Sequence, residues 1–498
     1  MPLQGQKLSG PFSLRVRSDN ATVSEVHPKM RRHFCLLVIS LSLGTTQAGM
    51  SPELPSTPAG KVLAGYIEAL NSGDKNKLET FVRTYRPGRP EALDRMLDLR
   101  WNLGGLDVYA IESSQERSIQ AVVLEREGGR YNQMSLTVTD GDPAVITNIT
   151  LTVIHPPAGA PVPQRLTQAA AAAAWQAEID RAAANGNFSG VWLWAKNGKI
   201  ITTGARGRAD RERGVDNTLD TRFRIGSMNK MFTAVATLQL VEQGQLSLED
   251  TIGKILPDYP NTNVAAKVKI RHLLSHTGGT GDIFGPEFEQ HRLELKTLHD
   301  YVKLYGERDL RFEPGAKWEY SNYGFLLLGV VIEQVSRKSY YDYVAENIYA
   351  PAGMLNSGSE PESVAVAKRS KGYMRDRFEM VSNEPTLPWR GTPAGGGYTT
   401  VSDLMKFADA LRSNKLVKAA TLAEATHPQF TGRDYGFGFE VEPSGQARTY
   451  GHSGGANGMS AMLRVYPESG QSVIVLCNLD PPSATRLGDW LHARIPLL

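Results

Sequence analysis

The spacing of apolar residues changes from a helical to an alternating pattern within the first part of the chain. Between residues 59 and 101, apolar positions such as Val62, Tyr66 and Leu70 repeat at helical spacing, which predicts amphipathic helices. Helices followed by an antiparallel meander predict a small α+β domain at residues 55–154. The alternating segments, separated by turn residues, predict strands at residues 106–111, 119–124, 131–138 and 145–153.

A proline-rich segment at residues 155–164 has no core pattern and predicts a linker to a larger domain at residues 165–498. This domain opens with an alanine-rich helix and a hairpin around the turn residues Asn197 and Gly198. It closes with a second strand pair, which predicts one antiparallel sheet built from both ends of the domain and flanked by helices. The predicted elements are a helix at residues 166–184 and strands at 191–195, 200–203, 460–466 and 473–478.

Residues 30–48 have the features of a secretory signal peptide. Met30 is followed by a short basic head, Arg31 to His33, residues 34–43 are mostly apolar, and small residues precede a cleavage position after Ala48. The apolar run is too short to span a bilayer, so we expect a periplasmic or secreted protein with no membrane span after signal removal. Residues 1–29 are polar and are expected to be a non-native or disordered extension.

Composition narrows the classes of function. Hydrophobic residues make up 41% of the chain and charged residues 21%, which is typical of a soluble globular protein. A net charge of +3 over 498 residues gives no reason to expect a nucleic-acid partner. Cys35 lies in the predicted signal peptide, so Cys477 would be alone in the mature chain, which excludes a disulfide framework and a cysteine-based metal cluster.

Candidate chemistry begins at Ser227, which precedes a predicted buried helix at residues 231–241. Lys230 follows three residues later, so the two side chains share one face of the helix. A partly desolvated lysine can take the proton of a serine hydroxyl and make it a nucleophile. Alone, the pair is more often a helix cap and a surface lysine.

Two further motifs change that balance, because they follow in the order expected of a serine hydrolase that uses lysine. The three motifs are Ser227-x-x-Lys230, Tyr320-Ser321-Asn322 and His452-Ser453-Gly454. With the blocks at residues 270–279, 393–400 and 451–455, residues 165–498 resemble the serine beta-lactamase-related family, in the branch of class C beta-lactamases, D,D-peptidases, D-aminopeptidases and family VIII esterases. The resemblance implies a beta-lactamase/transpeptidase-like fold, an antiparallel sheet flanked by helices plus a helical subdomain.

The resemblance also implies roles for the motif residues. Ser227 would be the nucleophile, Lys230 its proton partner and Tyr320 a second acid/base group, with the identity of the general base left open. The backbone N–H groups of Ser227 and Gly455 would form the oxyanion hole. The remaining implied roles are catalysis for His452 and substrate binding for Asn322, Ser453 and Gly454. No metal or organic cofactor is implied.

One departure bears on the substrate. Beta-lactamases of this branch resemble each other in a Lys-Thr-Gly third motif, where this chain has His452, a side chain that is largely neutral near pH 7. Esters or small amides and peptides are therefore the expected substrates of a Ser227 acyl-enzyme. The alternatives are a beta-lactamase or D,D-carboxypeptidase acting on penicillins or cell-wall peptides, and a catalytically silent ligand-binding module.

The N-terminal domain carries no catalytic pattern. Its element order is similar to that of the nuclear-transport-factor-2-like group, and we interpret it as a positioning module or as the contact of a homodimer. The expected partners are thus a small-molecule ester, amide or peptide substrate and a second copy of the chain.

Two other patterns invite different chemistry. Residues 451–455 fit the G-x-S-x-G nucleophile elbow, but the chain after them lacks room for the strands and helices that would carry the partner residues. His272 and His276 are spaced like metal ligands, yet no glutamate accompanies them, so structural roles are predicted. The glycines at residues 395–397 lack the Lys-Ser/Thr of a phosphate loop and predict a tight turn.

Overall fold

A computed structural model describes residues 52–443 and 448–497. It divides into two compact units, with the boundary between Val162 and Pro163. The predicted signal peptide and the extension before it lie outside the described residues. None of the described helices has both the length and the hydropathy needed to cross a bilayer.

The N-terminal unit consists of three helices followed by an antiparallel meander with strand order β1-β2-β3-β4. Thr57 and Asp74 cap the first two helices by accepting hydrogen bonds from the backbone N–H groups of Gly60 and Lys77. The unit thus combines helices with one antiparallel sheet. The elements are α1 (Pro58–Ser72), α2 (Lys75–Tyr85), α3 (Glu91–Leu103), β1 (Leu106–Ser114), β2 (Ser118–Glu125), β3 (Tyr131–Val138) and β4 (Ile146–Val153).

The second unit is organised around a six-stranded antiparallel sheet with strand order β13-β14-β15-β16-β5-β6. The first hairpin pairs with the last strand, since Gly190 lies opposite Cys477, which confirms a sheet built from both ends of the domain. Asn197 and Gly198 both have positive φ, 50° and 74°, as a two-residue hairpin turn requires. The strands are β5 (Gly190–Lys196), β6 (Lys199–Arg206), β13 (Glu440–Glu442), β14 (Thr449–Ala456), β15 (Met459–Tyr466) and β16 (Gln471–Cys477).

Both faces of this sheet are covered, as the alternation along β5 shows. Trp192 and Trp194 pack into a core shared with α4 (Gln168–Ala184) and α16 (Ser483–His492), whereas Val191 and Leu193 belong to the larger core on the other face. Successive side chains of a strand point to opposite faces, so a strand buried on both sides is apolar throughout. Free Cys477 is buried at the end of β16.

Helices between β6 and β13 form the predicted helical region and the floor of the candidate site. α5 and α11 are buried on almost every side. The helices are α5 (Asn229–Glu242), α6 (Ile252–Ile255), α7 (Thr262–Lys267), α8 (Ile270–Leu274), α9 (Pro286–His291), α10 (Leu298–Tyr305), α11 (Asn322–Ser336), α12 (Tyr340–Val344), α13 (Ala350–Ala352), α14 (Val401–Arg412) and α15 (Ala419–Ala425). Short strands complete the unit at β7 (Arg208–Asp210), β8 (Val215–Asp216), β9 (Phe223–Arg224), β10 (Tyr373–Asp376), β11 (Glu379–Ser382) and β12 (Tyr398–Thr399).

Candidate active site

Ser227 lies in a 3-10 turn, Gly226–Met228, that leads directly into α5. Its hydroxyl oxygen is 3.2 Å from the amine of Lys230. Ser227 is partly exposed, whereas Lys230 has no exposed surface. The turn therefore presents the hydroxyl to solvent and holds the amine directly beneath it.

The Lys230 amine is surrounded by oxygen atoms. Besides the Ser227 hydroxyl, it contacts Asn322 Oδ1 at 2.7 Å and the backbone carbonyl of Ala394. Burial lowers the pKa of Lys230 to about 7, against the opposing effect of the Asp282 and Glu440 carboxylates. A substantial fraction of the amine is therefore neutral near pH 7, and a neutral amine has a lone pair that can accept a proton.

Tyr320 completes the predicted trio. Its hydroxyl is hydrogen-bonded to Ser227, and its ring centroid is 4.7 Å from the amine of Lys230. Desolvation raises the pKa of the Tyr320 phenol well above its usual range. The structure thus brings the three groups into one cluster, with a phenol that stays protonated.

His276 holds Tyr320 from beneath, a role that the sequence did not indicate. The His276 carbonyl accepts a hydrogen bond from Glu319 N–H at 2.9 Å, and its Nδ1 accepts one from Ser321 N–H at 3.1 Å. The imidazole also lies against the Tyr320 ring, with 4.2 Å between centroids. The backbone of His276 is left-handed, with φ of 59°. In this conformation the residue contacts the backbone on both sides of Tyr320.

Asn322, predicted to bind substrate, is buried, and its amide is engaged at both ends by protein groups. Its Oδ1 accepts from Lys230, while its Nδ2 donates to Asp282 Oδ2 at 3.2 Å. The backbone N–H of Asn322, the first of α11, donates to Asp282 Oδ1 at 2.9 Å. Asn322 therefore contacts the proton-transfer pair and is shielded from solvent.

The third motif runs along β14 and not through a strand–turn–helix connection, so the geometry of a nucleophile elbow is absent at Ser453. Ser453 is partly exposed; its hydroxyl donates to Glu440 Oε1 at 2.7 Å and its N–H to Oε2 at 3.0 Å. Ser453 therefore lies at the edge of the cluster, bound to a carboxylate.

His452, in contrast, is buried and bonded internally. Its Nδ1 contacts the Ser453 carbonyl and its Nε2 is 2.9 Å from the Tyr435 hydroxyl. Because a carbonyl only accepts, Nδ1 carries the proton and Nε2 accepts from Tyr435. Burial lowers the pKa of His452, so the imidazole is neutral near pH 7.

Close backbone packing joins β14 to the turn that carries Ser227. A Cβ atom at Gly454 would lie 1.8 Å from the Ile225 carbonyl oxygen, and one at Gly226 would lie 2.8 Å from Gly455 N. Gly455 is exposed. Its N–H therefore lies near the Ser227 turn, on the open side of the site.

The glycines at residues 395–397 form part of the same contact. The N–H of Gly396 donates to the Gly226 carbonyl at 3.1 Å, and a Cβ atom at Gly395 would lie 3.5 Å from Ser227 N. Gly396 and Gly397 have φ of 96° and 69°, which glycine adopts readily. The hydrogen-bonded turn spans Thr392–Gly395, with Gly395 N–H donating to the Thr392 carbonyl at 3.1 Å, so the tight turn ends at Gly395 and is not formed by residues 395–397.

Comparisons with known proteins agree with this arrangement. The sequence profile of the Beta-lactamase family matches residues 175–496. The chain belongs to the Beta-lactamase family. This confirms the predicted family. Its structural neighbours include a hydrolase with promiscuous acyltransferase activity and a D-stereospecific amidohydrolase, and the protein is a serine hydrolase.

Three known proteins are similar to this chain. Penicillin-binding protein 4* of Bacillus subtilis is 31% identical over 315 residues, which is 58% of this chain and 68% of that protein. A penicillin-binding protein from Bacillus halodurans is 31% identical with a TM-score of 0.59, covering 63% of this chain and 99% of that one. A D-stereospecific amidohydrolase from Streptomyces is 28% identical with a TM-score of 0.54, covering 64% and 96%.

No arrangement of three or more His, Cys, Asp or Glu side chains that could hold a metal ion occurs in the described parts of this Beta-lactamase family chain. His272 Nδ1 accepts from the backbone N–H of Lys269 at 3.2 Å, and His276 holds the Tyr320 segment. The two histidines spaced like ligands thus have structural contacts, as predicted.

Proposed function

We propose that the protein hydrolyses esters or small amides and peptides through an acyl-enzyme on Ser227. The observation that carries the proposal is the 3.2 Å contact between the Ser227 hydroxyl and an amine, Lys230, whose pKa burial lowers to about 7. A lysine with an ordinary pKa would be protonated and unable to serve as a base. A lysine whose pKa is lowered to about 7 is partly neutral and can serve as a base.

The residues favour Lys230 as the base and Tyr320 as the proton shuttle. Neutral Lys230 takes the Ser227 proton as Oγ bonds to the acyl carbon, and the carbonyl π electrons move onto the oxygen. When the tetrahedral adduct collapses, the bond to the leaving group breaks, and the proton passes from Lys230 through the Tyr320 hydroxyl to that group. Water then attacks the acyl-enzyme by the same route in reverse and releases the acid.

The N–H groups of Ser227 and Gly455 would bind the developing oxyanion. Each donor of this kind contributes about 3–4 kcal/mol in related chemistry. The close packing of Gly226 on the Gly455 backbone supports the assignment, because it holds the two N–H groups in one region. In the same proposal Ser453 and Gly454 line the substrate strand, while Asn322 and His452 act by positioning neighbouring groups.

The charge beside the third motif favours substrates without a carboxylate next to the scissile bond. Glu440 is exposed, is bonded to Ser453 and has no Lys or Arg partner within 4.0 Å among the described residues. His452 Nδ1 lies 3.5 Å from Glu440 Oε1, but the imidazole is neutral and its Nε2 is bonded to Tyr435. A penicillin carboxylate approaching Ser453 would therefore meet a negative charge, where a lysine would attract it.

A second candidate, action on penicillins or cell-wall peptides, is favoured by the 31% identity to penicillin-binding protein 4*. A silent binding module is disfavoured, because a module that only bound ligand would not require an amine with a depressed pKa against the serine.

The test is a comparison of substrates on the purified protein and its Ser227→Ala variant. We expect turnover of p-nitrophenyl esters and of D-amino acid amides, slow turnover of nitrocefin, and a mass increase at Ser227 after fluorophosphonate treatment. Full turnover by Ser227→Ala would refute the nucleophile, and nitrocefin as the best substrate would favour the second candidate.

We also infer that the protein is exported and that the N-terminal unit mediates a homodimer. The signal-like residues 30–48 and the penicillin-binding relatives support export. Cell fractionation tests the first inference. Light scattering of the mature protein, with and without residues 49–162, tests the second.

A further inference from the structure

We propose that Asp282 is a positioning residue that fixes the orientation of the Asn322 amide and thereby directs the lone pair of Lys230 toward Ser227. This rests on the function proposed above, because it concerns how the proposed base is prepared. Asp282 belongs to none of the three motifs and lies in the loop between α8 and α9.

Asp282 binds Asn322 with both oxygens of its carboxylate. Oδ1 accepts from the Asn322 backbone N–H at 2.9 Å, and Oδ2 accepts from its side-chain Nδ2 at 3.2 Å. The first contact places a negative charge at the N-terminus of α11, where unpaired N–H groups and the helix dipole favour it. The second contact selects one of the two orientations of the amide.

That selection follows from hydrogen-bond chemistry. An ionised carboxylate only accepts, whereas an amide has a donor end and an acceptor end that exchange places by a half-turn. With Nδ2 held by Asp282, Oδ1 of Asn322 must face Lys230, as its 2.7 Å contact shows. The reverse orientation would place Asn322 Oδ1 against Asp282 Oδ2. Neither side chain would then donate a hydrogen bond to the other.

The orientation of this amide decides what the Lys230 amine can do. A neutral amine has two N–H donors and one lone pair. Asn322 Oδ1 and the Ala394 carbonyl accept from it, and both oxygens lack a proton to offer. The lone pair is therefore left for the third neighbour, the Ser227 hydroxyl at 3.2 Å. A reversed amide would offer its N–H to that lone pair and compete with Ser227.

The loop that carries Asp282 is itself anchored. Arg308 donates to the Asp282 backbone carbonyl at 2.7 Å, and the N–H of Ile283 donates to Oδ1 at 2.9 Å. The Ser321 hydroxyl donates to the carbonyl of Gly281. No Lys or Arg side chain lies within 4.0 Å of the Asp282 carboxylate in the described ranges. The carboxylate is thus held by neutral donors, two of them from Asn322.

The decisive variant is Asp282→Asn in the full protein. The new side chain can still accept from the Asn322 backbone N–H, so folding should be retained, which thermal unfolding checks. Its NH₂ group would oppose Asn322 Nδ2, and the Asn322 amide would turn over. We expect kcat/KM for p-nitrophenyl acetate to fall about ten- to a hundredfold at the pH optimum, with a similar loss in the rate of Ser227 labelling by fluorophosphonate.

The double variant Asp282→Asn with Asn322→Asp restores the complementary pattern in mirror order, since the donor would then lie at position 282 and the acceptors at 322. Measured at its own pH optimum, where Lys230 is neutral, we expect it to recover at least half of the lost rate on a logarithmic scale. Asn322→Asp alone, which places two carboxylates together, should be slower than the pair.

The pH profile separates orientation from charge. Lys230 experiences the carboxylates of Asp282 and Glu440 and lies close enough to His276 and His452 to interact electrostatically. Removing the Asp282 charge should move the rising limb of kcat/KM to lower pH, and the double variant, with a carboxylate against the amine, should move it to higher pH. These shifts follow from charge alone, so the rates are compared at each variant's own pH optimum, where recovery by the double variant reports the orientation of the amide.

The outcomes are distinct. Wild-type rates in folded Asp282→Asn, or a double variant no faster than its single parents, would overturn the role of Asp282 while leaving the Ser227 acyl-enzyme intact. Activity that survives Ser227→Ala, or labelling elsewhere than Ser227, would instead overturn the proposed function.

Discussion

The imidazole of His276 lies against the phenol ring of Tyr320, with 4.2 Å between the two centroids and 36° between the planes. The same histidine accepts hydrogen bonds from the residues on both sides of that tyrosine. Tyr320 is therefore held by its ring and by its flanking backbone, and its hydroxyl is hydrogen-bonded to Ser227.

We predict that His276→Leu impairs both stability and turnover. Leucine removes the acceptor for the buried Ser321 N–H, which costs about 1–3 kcal/mol in the free energy of unfolding, and it adopts a positive φ poorly. His276→Asn is the matched control, because asparagine tolerates this φ and retains an acceptor. Thermal unfolding and kcat for an ester should both rank wild type, His276→Asn and His276→Leu in descending order. Equal values for the two variants would contradict the role of His276 in holding Tyr320.

The pH dependence of kcat/KM should report Lys230. Because the base must be neutral and burial lowers the pKa of Lys230 to about 7, activity should rise with pH through about 7 and be lost as pH falls below it. Lys230→Met should reduce kcat/KM by about 10²–10⁴-fold and abolish this limb. A rising limb that persists near pH 7 in folded Lys230→Met would assign it to another group.

Glu440→Gln should shift the preference between substrates. Glutamine keeps the shape and can still bond Ser453, but it removes the negative charge beside the third motif. The ratio of kcat/KM for nitrocefin, which bears a carboxylate, to that for p-nitrophenyl acetate should increase about three- to tenfold, as expected for one charge interaction of about 1 kcal/mol near the surface. An unchanged ratio would show that substrate carboxylates do not approach Glu440.

Gly226→Ala should damage catalysis more than stability. The new methyl group would lie 2.8 Å from Gly455 N and force the Ser227 turn away from β14, which would separate the two proposed oxyanion donors. We expect kcat to fall about 10²–10³-fold.

Gly244→Ala provides the control for backbone strain in this test. Gly244 also has a left-handed φ, 69° against 51° at Gly226, and its added Cβ would meet nothing within 4 Å. Gly244→Ala should lose about 1–2 kcal/mol in the free energy of unfolding from the positive φ alone and keep wild-type kcat, whereas Gly226→Ala adds the cost of the 2.8 Å backbone contact. A comparable kcat in both would remove the oxyanion assignment from Gly455.

Much of the fold could be predicted from local patterns. Alternation and the Asn197-Gly198 turn indicate β5 and β6, and the order of strands and helices indicates that chain ends share the sheet. Ser227, Lys230 and Tyr320 converge, as their motifs predict. The hairpin is visible because it depends on residues close in sequence, whereas the convergence of Tyr320 on Ser227 and Lys230 follows from the resemblance of three separate motifs to a known family.

The remaining features depend on contacts that no local pattern contains. Asp282 is a single polar residue in a loop, 40 positions before Asn322, and Glu440 is 13 positions before Ser453. The depressed pKa of Lys230 arises from burial, which the sequence does not specify. Likewise, His452 could not be recognised as internally bonded before its distance to Tyr435 was known.

The pairing of β5 with β16 also constrains how the chain is assembled as it is made. Trp194 donates its indole N–H to Gln471, 277 residues later, so the first hairpin has no neighbour on its inner edge until almost the whole polypeptide has left the ribosome. The edge of β5 that pairs with β16 therefore stays unpaired during that interval. Premature termination before β16 would therefore leave the entire domain without a completed core, instead of producing a slightly shortened enzyme.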